Sequence, residues 1–256
     1  MAHPQVAAFA RLADGSAEPT RRIEGQVTLL GRTMHGIEYD EVNDEVIVPQ
    51  QFAQAIMTFR GGANGAEPPI RVIQGSRTQL SEPDRMFVDP VHDEIFVPDA
   101  GKILVFPRES DGNVAPIRIL EGIDGRVAID TEHDLLVSGS NRGIFIYERT
   151  AQGDAKPLRV IQGPDVVLDG LRAVRLYPPR GLIFAAIRGP DDEAPYVGVW
   201  DIHKDDGNVP PLWTFAGPGE VLVKPFGMAL DPKNQTVFVS DMKMNSVLSF
   251  HVPELF

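Results

Sequence analysis

The chain has 256 residues, 36 of them acidic and 24 basic, and its formal charge of −12 opposes nucleic acid or an anionic membrane as a partner held mainly by the overall field, leaving only a local basic patch for such a role. It contains no cysteine, which excludes disulfides and thiolate metal centres. Its 24 glycines and 22 prolines are spread evenly along the chain, a composition that suits many short strands joined by tight turns.

The N-terminal segment carries an apolar strand at Val6-Ala7-Ala8-Phe9, a turn at Asp14-Gly15, and then Pro19-Thr20-Arg21-Arg22-Ile23-Glu24-Gly25. This Pro-x-Arg-x-Ile-x-Gly pattern returns at 69–75 and 157–163, with its bulky residue shifted to Leu120 at 116–122, and as Pro-Leu-Trp-Thr-Phe-Ala-Gly at 211–217. The spacings are 50, 47, 41 and 54 residues, a mean of 48. One four-stranded propeller blade consumes about 40–50 residues, so the period predicts an all-β propeller in a single domain over 1–256.

Every repeat keeps one internal order. A short apolar strand A ends in Asp or a substitute: Ile37-Glu38-Tyr39-Asp40, Met86-Phe87-Val88-Asp89, Val127-Ala128-Ile129-Asp130, Val174-Arg175-Leu176-Tyr177 and Met228-Ala229-Leu230-Asp231. A polar turn leads to strand B at 45–48, 94–97, 135–138, 182–187 and 236–240. Strand C follows at 55–59, 103–106, 144–147, 196–200 and 247–250. Their β-branched and alternating content favours strands. The C-to-D link holds Asn64-Gly65, Asp111-Gly112, Asp206-Gly207 or the weaker Gln152-Gly153, where Gly supplies the positive φ of the turn. Strand D is the proline motif itself, and a leading proline suits an outer edge.

The ends complement each other. The N-terminus holds the C and D half of a blade, and the C-terminus stops after A, B and C. The return from Pro211 to Pro19 across the two ends takes 64 residues, nearer one repeat than two. Five blades are therefore expected, with six as the alternative and the ring closed by the N-terminal strands. One strand is surplus, because 6–10 and 247–251 both read as strand C.

At Phe226-Gly227-Met228-Ala229-Leu230-Asp231, Val237-Phe238-Val239-Ser240-Asp241, Asn245 and 247–250, and again from Asp84 through Asp99-Ala100-Gly101-Lys102 to Phe106, the chain resembles NHL repeats. The resemblance implies a propeller, typically six-bladed, and so the count of five departs from it. The family includes interaction modules, RNA-binding modules and distant relatives among lactonases and amidating lyases, and fold alone does not choose among them. Lactonase-like relatives hold a metal with Glu, Asn and Asp. By that resemblance Glu38, Asp99, Asn141 and Asp241 form an alternative ligand set for a divalent cation such as calcium, in a metal-dependent lactonase or lyase with its site at the central channel.

Acidic clusters at 40–45, 89–94, 130–134 and 231–234 are read as A-to-B turns and not as metal sites. His92 and His133 stand where Asn43 and Asn234 stand, and Asn, Asp and His are the non-glycine residues most often found at positive φ. Phe59, Phe106, Tyr147, Trp200 and Phe250 share one repeat position and are assigned to the core. Arg22 or Arg71, Arg118 and Arg159 recur on strand D and are assigned to solvated or inter-blade contacts.

What recurs in every copy builds a blade, so function is sought where the copies differ. The D-to-A and B-to-C loops vary and share one face: 26–34, 49–54, 76–84, 139–143, 164–170, 188–195, 218–224 and 241–245. His35, Arg85, Arg126, Arg172 and Lys224 lie just before or at strand A and are expected to ring the channel mouth with positive charge, suited to an anionic ligand or an acidic peptide. No Gly-x-Ser-x-Gly elbow, P-loop or His-Glu-x-x-His occurs. The reading is a non-catalytic binding and interaction scaffold with a protein or small anionic partner, no nucleic acid, no membrane and no cofactor. Residues 1–19 lack the basic start and apolar run of a secretory signal, and no stretch of about 18 apolar residues occurs. A soluble, cytoplasmic protein is expected as written, or a periplasmic or secreted one had a signal been removed.

Overall fold

A computed structural model describes the chain except at residues 1–3, 33, 124, 191–192 and 216–220. The fold is an all-β propeller of five blades, and its residues cluster into two compact units, Met1–Ile119 and Leu120–Phe256. The first unit opens with a two-stranded sheet of β1 (Gln5–Ala8) and β2 (Arg21–Glu24). Its first blade is β3 (Glu38–Asp40), β4 (Glu45–Gln50), β5 (Ala55–Arg60) and β6 (Arg71–Gln74), paired in chain order. The second is β7 (Phe87–Asp89), β8 (Glu94–Asp99), β9 (Lys102–Pro107) and β10 (Arg118–Glu121), the last of which runs across the division between the units.

The second unit repeats the arrangement. Its blades are β11 (Arg126–Asp130), β12 (Leu135–Ser140), β13 (Gly143–Glu148) and β14 (Arg159–Ile161), then β15 (Leu171–Tyr177), β16 (Leu182–Ile187), β17 (Tyr196–Asp201) and β18 (Trp213–Phe215). The fifth is the three-stranded set β19 (Pro225–Asp231), β20 (Thr236–Asp241) and β21 (Ser246–His251). The half-blade expected at the N-terminus is thus a ladder of its own, and the A, B and C set expected at the C-terminus is present as β19 to β21. Within each unit the A strands of successive blades pack side by side, β3 on β7, and β11 on β15 on β19.

Burial follows the pleat. In the first blade Val46, Phe59, Val48 and Met57 join Ile23 and Leu30 in one apolar layer, and Ile47, Ile56 and Ile73 face the layer shared with Val88, Ile95, Leu104 and Phe106 of the second. In the second unit Phe184, Val197, Val199, Met228, Val237 and Val239 form the corresponding layer. Phe59, Phe106 and Trp200 are wholly buried and Tyr147 nearly so, as expected of their shared repeat position, while Phe250 is half-buried. Removing one such side chain costs about 3–5 kcal/mol.

The recurring glycine turns do more than reverse the chain. Gly65 N donates to Arg22 O at 2.6 Å, Gly65 O accepts from Glu24 N at 3.1 Å, and Asn64 Oδ1 accepts from Arg22 N at 3.1 Å. Gly112 with Asp111 holds Val72 and Gln74 in the same way, and Gly207 with Asp206 holds Val160 and Gln162. Each turn therefore clips the outer strand of the preceding sheet. At Gly153 the backbone bond from Glu121 N persists at 2.6 Å.

Two expectations are corrected. Asp40, Asp89, Asp130 and Asp231 do cap the A-to-B turns, with Oδ1 accepting backbone amides and Oδ2 meeting Asn43, His92, His133 or Asn234. Positive φ, however, belongs to the next residue, at Asp44, Asp93, Asp134 and Gln235. The Asn or His is selected because its side chain reaches back to the Asp. Two of the strand D arginines also clamp their own blade: Arg71 meets the buried Glu45 at 2.5 Å, and Arg118 forks onto the buried Glu94 at 2.6 and 2.7 Å. Glu45 is shared with the buried Arg108 of the second blade at 3.0 Å. Burial lowers the basicity of Arg108, and its bonds to Asp93 and Glu45 more than restore it.

Candidate functional site

The basic residues expected at the loop face occur in both units. In the first, His35 Nδ1 is held by Asp84 Oδ1, and the other oxygen of Asp84 lies 3.7 Å from Arg85 Nε. One carboxylate thus engages both side chains, which weakens that part of the expected field.

In the second unit Arg126 opens β11, and Arg172 is the second residue of β15. Arg126 Nε donates to the backbone carbonyl of Arg172 at 3.2 Å, joining two adjacent inner strands at their loop ends. Here lies an open cleft of about 280 Å³, lined by Gly125, Arg126, Gly139, Ser140, Asn141, Arg142, Leu171 and Arg172. Its segments come from the D-to-A loops of two blades and the B-to-C loop of one, the variable class of loop.

Short-range bonds shape the cleft. Gly125, at φ +123°, lies directly on the Gly139 carbonyl, an approach that no other residue allows. Ser140 Oγ accepts from Arg142 N at 3.2 Å, which turns the loop, and Asn141 Oδ1 accepts from Leu171 N at 3.1 Å, which ties the loop to the next blade. Three guanidinium groups therefore line one concavity. Arg172 Nε is buried and has no hydrogen-bond partner among the described residues, a condition it shares with Nε of Arg22, Arg71 and Arg118, so this atom does not by itself mark a ligand site.

The remaining expected residues serve the backbone. Lys224 lies just before β19 and does not line the cleft, and its amide donates to Asp241 Oδ2 at 2.8 Å. Asp241 also accepts from Val223, Lys243 and Met244. Burial pushes its carboxyl up, but these four amides outweigh burial and hold it below the usual range. Asp99 likewise accepts from the amides of Ser81 and Glu82, at 2.6 and 2.9 Å. Glu38 is half-buried on β3. Thr33, 191–192 and 218–220, parts of the expected loop face, lie outside the described residues.

The 139–143 loop is marked by its variability, but Arg142 within it is not, because charge in a loop has no register to mark it. Arg188, which opens the expected 188–195 loop, is buried after β16, donates from Nε to Pro225 O at 3.1 Å and lies 5.7 Å from the Phe226 ring centre. Its signal is a lone Arg following an all-apolar strand.

No helix among the described residues is long and apolar enough to cross a membrane. No family model matches the chain, and no curated protein matches it. Among solved structures, hydrazine synthase from Kuenenia stuttgartiensis is similar, with a TM-score of 0.58 at 12% identity over 81% of this chain and 55% of that one. The chain thus spans about half the length of that relative. A likeness at this identity is one of fold, and it supports the propeller.

Proposed function

We propose that the chain is a non-catalytic binding scaffold whose second unit takes a small anionic ligand in the Arg126, Arg142 and Arg172 cleft. The observation that carries this reading is the convergence of Arg126, Arg142 and Arg172 on one cleft whose lining, among the described residues, holds no acidic side chain. Arg presents a planar fork that matches carboxylate and phosphate oxygens, and a pocket walled by protein strengthens the attraction over that in open water. The volume, about 280 Å³, is at the lower end of ligand sites, which favours a compact anion over a folded partner. The metal-dependent lactonase reading gains no comparable support, since Asp99 and Asp241 already direct both oxygens at backbone amides.

The test is calorimetric titration of the full chain at low salt with inorganic phosphate, citrate and tetraglutamate. Saturable binding of phosphate or citrate is expected, weakened at least tenfold by Arg172→Gln and by Arg126→Gln, or about 1.4 kcal/mol. Binding of tetraglutamate alone would shift the reading to an acidic peptide. Saturation by none of the three, or variants that bind as the parent does, removes the proposal.

A further inference from the structure

The opposite ends of β11 and β12 carry a second cluster, independent of the cleft. Asp130, His133 and His203 each present a ligand atom within 4.8 Å of the other two. We propose that these residues form a site for a borderline divalent transition metal of the zinc class, completed by solvent.

The repeat separates what is structural here from what is not. Asp130 and His133 are the capping pair of an A-to-B turn, and the same pair occurs as Asp89 with His92, and with Asn in place of His as Asp40 with Asn43 and Asp231 with Asn234. His203 has no such duty. After strand C in each of the first four blades one amide bonds the A-to-B turn, from Gly61, Arg108, Arg149 and Ile202. The residues that follow are Gly62, Glu109, Thr150 and His203. Histidine stands at that position once, and there it meets the ring of His133 edge-on, with centroids 4.5 Å apart.

The donor set suits the ion. Oδ1 of the buried Asp130 is taken by the amides of Glu132 and His133, while Oδ2 meets the His133 ring, at 2.9 Å from Nδ1. The carboxylate is therefore fixed by its turn with one oxygen facing the histidines. Two imidazoles and one carboxylate are borderline ligands that suit zinc, and tetrahedral ligands around zinc lie about 3.4 Å apart. Both histidines are exposed, and small rotations of their rings close the gap from 4.8 Å. Nearby in the chain, Arg149 pairs with Asp134 and Lys204 with Asp201, both at 2.7 Å.

The test is titration of chelator-treated full chain with zinc chloride in a non-coordinating buffer, followed by calorimetry, and with cobalt chloride followed by its visible absorption. One equivalent is expected to bind. His203→Gln and His133→Asn are each expected to weaken it at least tenfold, and the second variant keeps the turn by using the residue that other blades use there. His92→Asn is expected to leave zinc affinity unchanged. Absence of stoichiometric binding, unchanged affinity in both His203→Gln and His133→Asn, or an equal loss in His92→Asn each overturns the site.

Discussion

Asn113 occupies the space that a side chain on Gly75 would need: a Cβ built there lies 2.6 Å from its amide oxygen, and that oxygen accepts from Arg77 N at 2.7 Å. The glycine that ends the proline motif is thus a seat for the residue after the next blade's Asp-Gly turn. Gly163 stands in the same relation to Asn208. Gly75→Ala has to displace Asn113 and hold a side chain at φ +129°, and about 2–4 kcal/mol of stability is expected to be lost. Gly112→Ala, at φ +74° with open space around it, is expected to lose only about 1–2 kcal/mol. Urea denaturation of the pair checks this, and equal losses would show that backbone strain alone selects glycine at both places.

The clip between blades is testable at Asp206. Its Oδ1 accepts from Val160 N at 2.9 Å. Asp206→Ala removes that exposed acceptor and is expected to cost about 0.5–1.5 kcal/mol, the net worth of one hydrogen bond. Asp206→Asn keeps an acceptor, as Asn64 does for Arg22, and is expected to stay within about 0.5 kcal/mol of the parent. Thermal melts that rank the two variants the other way would show the carboxylate charge, and not the bond, to be what matters.

Tyr196 gives a prediction at alkaline pH. Its hydroxyl donates to Val167 O at 2.6 Å, and burial, helped by the nearby charge of Asp169, raises its pKa to about 12. The folded value is above the unfolded value of about 10, so the contribution to stability is fully present below pH 10 and is lost as pH rises from there through about 12. A full two-unit difference would be roughly 2–3 kcal/mol, and because the hydroxyl is partly exposed solvent screening cuts the expected contribution to about 1 kcal/mol. Tyrosinate absorbance during a pH titration is expected to show a late-titrating group that Tyr196→Phe removes. A late step that survives the substitution assigns the shift to another tyrosine.

The scaffold was legible because a blade states itself five times. Strand order, the Asp-Gly turns and the aromatic position all repeat, so an error at one copy is corrected by the others. What hid was whatever one blade shares with its neighbour, since contacts between Asn113 and Gly75, or Arg108 and Glu45, join residues of different repeats and leave no period in the chain. The turn histidines show the same limit. Their place in the repeat identifies the turn, but positive φ falls one residue later, because what selects His or Asn there is the reach of its side chain back to Asp89 or Asp130 and not a φ preference. At the loop face Arg126 and Arg172 were found by their position before the inner strands. Arg142 and His203 each occur once, and only coordinates bring them to a partner.

Gly125 provides the sharpest link between the fold and the cleft. It precedes Arg126 at φ +123°, in contact with the Gly139 carbonyl on the neighbouring strand, where Arg126 and Gly139 are ladder partners. A methyl group at this position meets backbone that cannot swing aside, so Gly125→Ala has to push the start of β11 away from β12. Arg126 moves with it, and its 3.2 Å bond to the Arg172 carbonyl is strained or broken. The expected outcome is a loss of about 1–3 kcal/mol in stability together with a loss of anion affinity at least as large as that of Arg126→Gln. Gly153→Ala, a positive-φ glycine with nothing around it, is the matched control and is expected to lose stability without losing affinity. If Gly125→Ala folds and binds phosphate or citrate as the parent does, the placement of Arg126 by this close approach is not what makes the cleft an anion site.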